Sequence, residues 1–261
     1  MKKSIIKAKL RRNEPSLVTT LHFADQSAYE MTSLLGFDGI WMDLEHHAHS
    51  METAAQLMRA ARVGGVDIVA RPAKSEFMRM GRLLEAGAQG IMYPRCESAE
   101  EARELVRWAK FAPLGERGAD GGGADMPYGF GRLREYVEAA NNETFLIAQL
   151  ESPVAVKRAS EIARVNGIDI LMFGPGDFTV LAGIPGQFDH PLVEEATATV
   201  AKAAKDAGIN WGTIAFDAGH AARLLDKGAR FLCHNADIMI LKAGLEKIKC
   251  DFAPLGFTFK T

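Results

Sequence analysis

FLIAQLESPVAVKRASEIARVNGIDILMFGPGDFT, residues 145–179, holds the pattern that decides the fold. It opens on a short β-prone apolar run, passes through a longer amphipathic stretch, enters a second apolar run and stops at a glycine-proline junction. This strand-then-helix rhythm repeats outward in both directions. Candidate strands lie at Leu17–His22, Gly39–Asp43, Ile68–Arg71, Gly90–Tyr93, Phe145–Leu150, Ile170–Phe173, Trp211–Ile214 and Phe231–His234. Candidate helices follow at 24–35, 52–63, 76–87, 98–110, 153–164, 191–207, 217–227 and 237–248. Eight pairs without a long linker or a break in composition predict a single-domain (β/α)8 TIM barrel over residues 1–261, in preference to an open doubly wound sheet.

Composition agrees with one ordinary globular unit. Lysine and arginine number 31 against 33 acidic residues, a net charge of −2, so no large positive field favours nucleic acid as a partner. No apolar run approaches the roughly 18 residues of a membrane-spanning helix, and no membrane role is expected. Cys96, Cys233 and Cys250 cannot all pair in one chain and form no C-x-x-C spacing, which fits a reducing cytoplasm. The basic run Met1–Arg12 places Lys7 and Lys9 where a secretory signal would be apolar, and it reads as a solvated N-terminal segment. The glycine-rich stretch Pro113–Gly131 reads as a long loop, either a plain surface connection or a rim or subunit contact.

In a barrel the C-terminal ends of the strands converge on one mouth, so the residues at those ends are the candidates for chemistry. Strand 2 runs into Asp43-Leu44-Glu45-His46-His47, strand 3 ends at Arg71, strand 5 at Gln149 and Glu151, and strand 6 at Gly174-Pro175-Gly176-Asp177. Gln149 and Glu151 are two apart and share a face. Glu151 and Asp177 either share a divalent cation, whose oxygen-rich shell suits Mg²⁺ or Mn²⁺, or cap the helices that follow them. Arg71 either presents its fork to a carboxylate or developing oxyanion, or forms a structural salt bridge with Asp43 or Glu45. His46, oriented by Asp43 or Glu45, is a candidate general base, since histidine titrates near neutrality; a packing role is the alternative. His46, His47 and His49 lack a zinc-protease pattern, and an all-histidine zinc site is disfavoured. The glycines of 174–177 let backbone amides approach a small carboxylate, or serve only the bend. No nucleotide fingerprint appears, and no lysine stands at a strand end for Schiff-base chemistry; Lys74 is nearest.

Several segments together resemble the HpcH/HpaI group of metal-dependent class II pyruvate aldolases: GFDGIWMDLEH (36–46), ARP (70–72), LLEAGAQGIMYPRCESAEEA (83–102), PLGERG (113–118), QLES (149–152) and GIDILMFGPGDFT (167–179). The resemblance implies reversible aldol cleavage of a 4-hydroxy-2-oxo acid to pyruvate and an aldehyde, through an enolate stabilised by a divalent cation, Mg²⁺ or Mn²⁺ with Co²⁺ as a further option. It places metal ligands at Glu151 and Asp177, the catalytic histidine at His46 supported by Asp43, and the keto-polarising arginine at Arg71. Gln149 falls beside the metal, and Gly176 and Asp177 offer amides to the pyruvate carboxylate. It further implies a homo-oligomer, a hexamer, in which an acid at the position of Glu85 reaches a neighbouring subunit's histidine. The chain departs from the family where EHHAH replaces EHAP or EHGP, GPGDFT replaces GPADLS, and Cys233-His234-Asn235-Ala236 replaces a small, glycine-containing end of strand 8. These departures leave the substrate open, with an acyl-CoA lyase, an oxaloacetate decarboxylase and a non-catalytic 2-oxo-acid-binding barrel as alternatives.

Overall fold

A computed structural model describes residues 1–259; the last two residues of the expected 1–261 span lie outside it. Eight parallel strands close into a barrel in chain order, β1 pairing with both β2 and β8. The strands are β1 (Ser16–Leu21), β2 (Gly39–Asp43), β3 (Asp67–Arg71), β4 (Gly90–Tyr93), β5 (Phe145–Leu150), β6 (Ile170–Phe173), β7 (Asn210–Ile214) and β8 (Phe231–Ala236). Each agrees with its sequence expectation to within two residues at either end. Every residue of β2, β3, β4, β5 and β6 is buried, as strands covered on both faces must be.

Period-two alternation divides the core into two layers. Val18, Trp41, Val69, Met92, Ile147, Ile170, Met172 and Phe231 fill the barrel interior, while Ile40, Met42, Ile68, Ile91, Leu146, Leu171 and Leu232 face the helices. At the barrel's lower end a side chain on Gly90 would stand 2.4 Å from the Phe145 ring, so glycine there makes room for the aromatic plug.

The helices include α1 (Ile5–Arg11), α2 (Gln26–Leu34), α3 (Met51–Ala60), α4 (Phe77–Ala86), α5 (Ala99–Ala109) and α6 (Leu133–Glu143). After these come α7 (Pro153–Lys157), α8 (Ala159–Ala163), α9 (Pro175–Leu181), α10 (Pro191–Ala207), α11 (Ala218–Asp226) and α12 (Asp237–Phe252).

The N-terminal segment is not the solvated stretch its charges suggest. Ser4 caps α1, and Ile6 and Leu10, one turn apart, point into the barrel's inner core, where Ile6 is fully buried. Asp67 anchors the segment by accepting from Ser4 Oγ (2.6 Å), the Ile6 amide (2.9 Å) and Lys2 Nζ (2.9 Å). The basic residues are partners for acids at the strand entrances: Lys7 with Asp169, Lys9 with Asp38. Ile6→Ala should therefore lower stability by about 2–4 kcal/mol, as deletion of a core aliphatic does, read as a fall in urea midpoint at unchanged slope. A loss below about 0.5 kcal/mol, the range of surface substitutions, would mean that the segment does not plug the barrel.

The stretch Pro113–Gly131 is a loop apart from one short 3-10 turn, but it is pinned in place. Arg117 donates to Asp125 (2.8 Å), Tyr136 of α6 donates to the same carboxylate (2.5 Å), and all three are buried. α6, which follows this loop, is not among the helices that the sequence predicts.

Candidate active site

The mouth is assembled from strand ends. Arg71, at the end of β3, sits beside Asp43, at the end of β2, because the two are register partners. Arg71 donates Nε to Asp43 Oδ1 (3.0 Å) and Nη2 to Oδ2 (2.7 Å), and its Nε lies 3.3 Å from Glu45 Oε2. The guanidinium also stacks over Trp41 at 4.6 Å. The salt bridge that sequence offered as an alternative role for Arg71 is thus present, with both acids. It engages two of the three nitrogens. Nη1 is turned toward Gln149 Oε1 at 3.5 Å, beyond good hydrogen-bond length, and this tip of the fork remains available to an incoming oxygen.

Gln149 and Glu151 share the inward face as their spacing predicts, with Gln149 Nε2 donating to Glu151 Oε1 at 2.8 Å. The other oxygen, Oε2, accepts from the Arg95 backbone amide at 3.0 Å. Arg95 takes a left-handed φ of 45°, unusual for a non-glycine residue, which aims that amide at the carboxylate. Ser152, not Glu151, caps α7, so the capping role fails for Glu151. Gly174 is where the chain passes closest: a Cβ there would lie 2.6 Å from Glu151 Oε1. The junction after β6 is not a simple turn. Pro175 starts α9, placing Gly176 and Asp177 in its first turn, Gly176 exposed and Asp177 half-buried.

Electrostatics separates the two acids. Burial pushes the Asp43 carboxyl up, but hydrogen bonds and charge from Arg71 outweigh it and its pKa is lowered. Glu151 is 4% exposed, and burial, with Asp177 and Glu45 nearby, raises it to about 7 despite Arg71 and the Arg95 amide. A carboxylate in this state is short of positive charge.

Between the ordinary 4.5 and about 7 the folded chain holds a proton that the unfolded chain has released, so stability falls as pH rises through that window. The upper bound is about 3 kcal/mol at pH 8. Glu151→Gln should raise the metal-free unfolding free energy at pH 8 by part of that amount and leave it nearly unchanged at pH 4.5. Urea unfolding in a chelator at the two pH values checks this, and equal effects at both would contradict the burial argument.

Of the two acids expected to orient His46, Glu45 is the one that reaches its ring. His46 is exposed, its side chain 58% accessible; Nε2 lies 3.6 Å from Glu45, while Asp43 accepts only its backbone amide at 3.4 Å. Glu45, rather than Asp43, is the acid near the ring. His47 stacks on His22, with ring centroids 4.2 Å apart, and His49 lies 6.2 Å beyond. His22, Asp43 and His47 bring ligand atoms within 4.8 Å of one another, a group able to hold a metal ion. Both Asp43 oxygens are already bonded to Arg71, whose charge opposes a cation there. The oxygen donors around Glu151, short of positive charge and lined by Gly174 and α9, fit a hard divalent cation better.

Glu85 stands apart. It belongs to the last turn of α4, just before β4 begins, at the opposite end of the barrel from His46, and its carbonyl accepts from Ala124 of the pinned loop. Burial raises its pKa, with Arg117 opposing and Asp125 and Asp120 adding to the rise. Lys74 is bound to Glu101 (3.0 Å) and the Arg95 carbonyl (2.8 Å), outside the mouth.

Beside Arg71 opens a cavity of about 260 Å³ lined by Thr20, His22, Trp41, Ile214, His234 and Asn235, among others. No role for His22, His234 or Asn235 is legible in the sequence. His22 closes the predicted first strand, and His234-Asn235 is the departure at strand 8, so both carried a signal of position if not of chemistry.

The closed barrel, the polar mouth and the relatives together define a carbon–carbon lyase. The chain belongs to the HpcH/HpaI aldolase/citrate lyase family, whose model matches residues 20–242. It is 34% identical over 236 residues to a hydroxypyruvate/pyruvate aldolase of Delftia acidovorans, covering 90% of this chain and 87% of that one. It is 28% identical to a 4-hydroxy-2-oxo-heptane-1,7-dioate aldolase of Shigella sonnei, covering 94% of both. The crystal structure of an HpcH/HpaI aldolase from Desulfitobacterium hafniense superposes with a TM-score of 0.87 at 33% identity, over 93% of this chain and 96% of that one.

Proposed function

We propose that the chain is a class II aldolase that reversibly cleaves a 4-hydroxy-2-oxo acid into pyruvate and an aldehyde, working as one 1–261 barrel in the cytoplasm. The observation that carries this is Glu151: buried, raised to about 7, and set beside Asp177 and the spare tip of the Arg71 fork. Glu151 and Asp177 hold the metal, Mg²⁺ or Mn²⁺ with Co²⁺ as a third option. When bound, the cation supplies positive charge that acidifies the methyl group of pyruvate.

Each residue then has a task. Arg71, kept rigid by Asp43 and Trp41, donates to the keto oxygen as it gains charge. Gln149 orients Glu151. The amides of Gly176 and Asp177, in the first turn of α9, receive the pyruvate carboxylate. His46, with Glu45 near its ring, moves the proton at the methyl carbon through water. The test is exchange of pyruvate methyl protons in D2O, followed by NMR. Exchange is expected with Mg²⁺ or Mn²⁺ and is expected to stop with a chelator; exchange that survives complete metal removal would sink the reading.

The working form is a homo-oligomer in which Glu85 serves a neighbouring copy's mouth, since it lies at the wrong end of its own barrel to reach His46. Support comes from α12. It follows β8, where the eighth helix should lie over the β8–β1 seam, yet none of its residues is buried. Ile238, Leu241, Leu245, Ile248 and Phe252 form one exposed apolar stripe with alternating spacings of three and four. Leu17, on β1, is likewise exposed at the seam. A second copy covering both satisfies the two surfaces together.

A further inference from the structure

The end of β8 is irregular in a way that bears on the second substrate. Val18 pairs with Cys233 but Thr20 pairs with Ala236, so β1 advances two residues while β8 advances three. The additional residue is a β-bulge, a device that re-aims side chains at the rims of barrels. Its effect is that Cys233, His234 and Asn235, three successive residues, all line the cavity beside Arg71, where a regular strand would offer alternate ones. Asn235 adopts a left-handed φ of 61°, tolerated by asparagine, and its Oδ1 accepts from the Ala236 amide at 2.8 Å. Its carboxamide N–H groups remain as donors.

His234 has a fixed tautomer. Its Nδ1 lies 2.7 Å from the Ala215 carbonyl, which only accepts, so Nδ1 carries the hydrogen and Nε2 of the neutral ring is an acceptor. Across the cavity, burial and the neighbouring His47 lower the pKa of His22 despite Asp237, which disfavours the charged form of that ring. Arg71, which lines the cavity together with Asp43, is engaged by Asp43 and Glu45, and among the described residues no lysine lines it. Apart from the Arg71–Asp43 ion pair, the wall carries hydrogen-bonding and apolar groups, in a space of roughly nine water volumes.

We infer that this wall is the acceptor pocket of the aldolase and that His234 and Asn235 select small neutral aldehydes bearing a hydroxyl beside the carbonyl, over alkyl aldehydes and aldehydes carrying a carboxylate. This rests on the proposed function. The acceptor's hydroxyl donates to Nε2 of His234, and its oxygen accepts from the Asn235 carboxamide. An alkyl group in the same place leaves both unpaired, and a carboxylate finds no spare cation, since the Nη1 tip of Arg71 is committed to the keto oxygen of pyruvate.

Glycolaldehyde and propanal differ only by hydroxyl against methyl, so the ratio of their kcat/KM values isolates the contact. In His234→Leu that ratio is expected to fall by about tenfold, one hydrogen bond's worth, and Asn235→Gly should lower it further in combination. Exchange of pyruvate methyl protons without aldehyde should stay at the wild-type rate in both variants, showing that fold and nucleophile are intact. An unchanged ratio with exchange intact would overturn the inference while leaving the aldolase reading standing. So would a wild-type preference for succinic semialdehyde. Absence of exchange in the wild type would overturn the aldolase reading, and the acceptor pocket with it.

Discussion

Arg71→Ala is expected to slow metal-dependent exchange of pyruvate methyl protons by about 100- to 1,000-fold, the usual penalty for removing one donor from a developing oxyanion. The geometry explains why the effect should be that large. Asp43 fixes the guanidinium through two bonds and Trp41 supports its face, so Nη1 is already aimed before any substrate arrives. Lysine should not rescue the loss, since a single ammonium cannot bond Asp43 twice and still present a donor at the Nη1 position. Removing Arg71 alone also leaves Asp43 buried without its partner, which costs about 3–5 kcal/mol. Pairing Arg71→Gln with Asp43→Asn replaces the ion pair by neutral hydrogen-bonding groups and keeps the fold measurable. The same loss of exchange is expected there. A folded double variant within tenfold of the wild-type rate would remove Arg71 from the chemistry.

The barrel was legible because its strands are buried on both faces and so read as unbroken apolar runs between polar junctions. The polar strand ends were equally plain, and Asp43, Arg71, Gln149 and Glu151 do meet at one mouth. What the sequence hid is non-local. The charges of Lys2, Lys7 and Lys9 masked α1, because their partners Asp67, Asp169 and Asp38 lie far along the chain. The stacking of His22 on His47 joins the loops that follow β1 and β2, and the bulge at His234 exists only as a slip in register against β1. Glu85 rests on resemblance alone, whereas His46 is also a candidate from its place at a strand end. Their separation to opposite ends of the barrel follows only once each is placed on its element.

The second large effect concerns α12. Each of the five stripe residues carries an apolar side chain worth about 1.5–3 kcal/mol when fully buried, so a partner surface gains several times the free energy that one polar substitution removes. Replacing Leu241 and Leu245, the centre of the stripe, by glutamate should convert an oligomer into monomers at micromolar concentration, seen as a fall in mass by light scattering. Monomers should also lose exchange activity if Glu85 must come from a neighbour, whereas Glu85→Ala should lose activity without losing assembly. Leu241 and Leu245 are half-exposed and α12 buries no residue within the chain, so charges at these positions should leave the fold, read by circular dichroism, essentially unchanged. A wild-type protein that is monomeric and fully active at the same concentration would show that the stripe has no partner copy and that Glu85 has no role in the reaction.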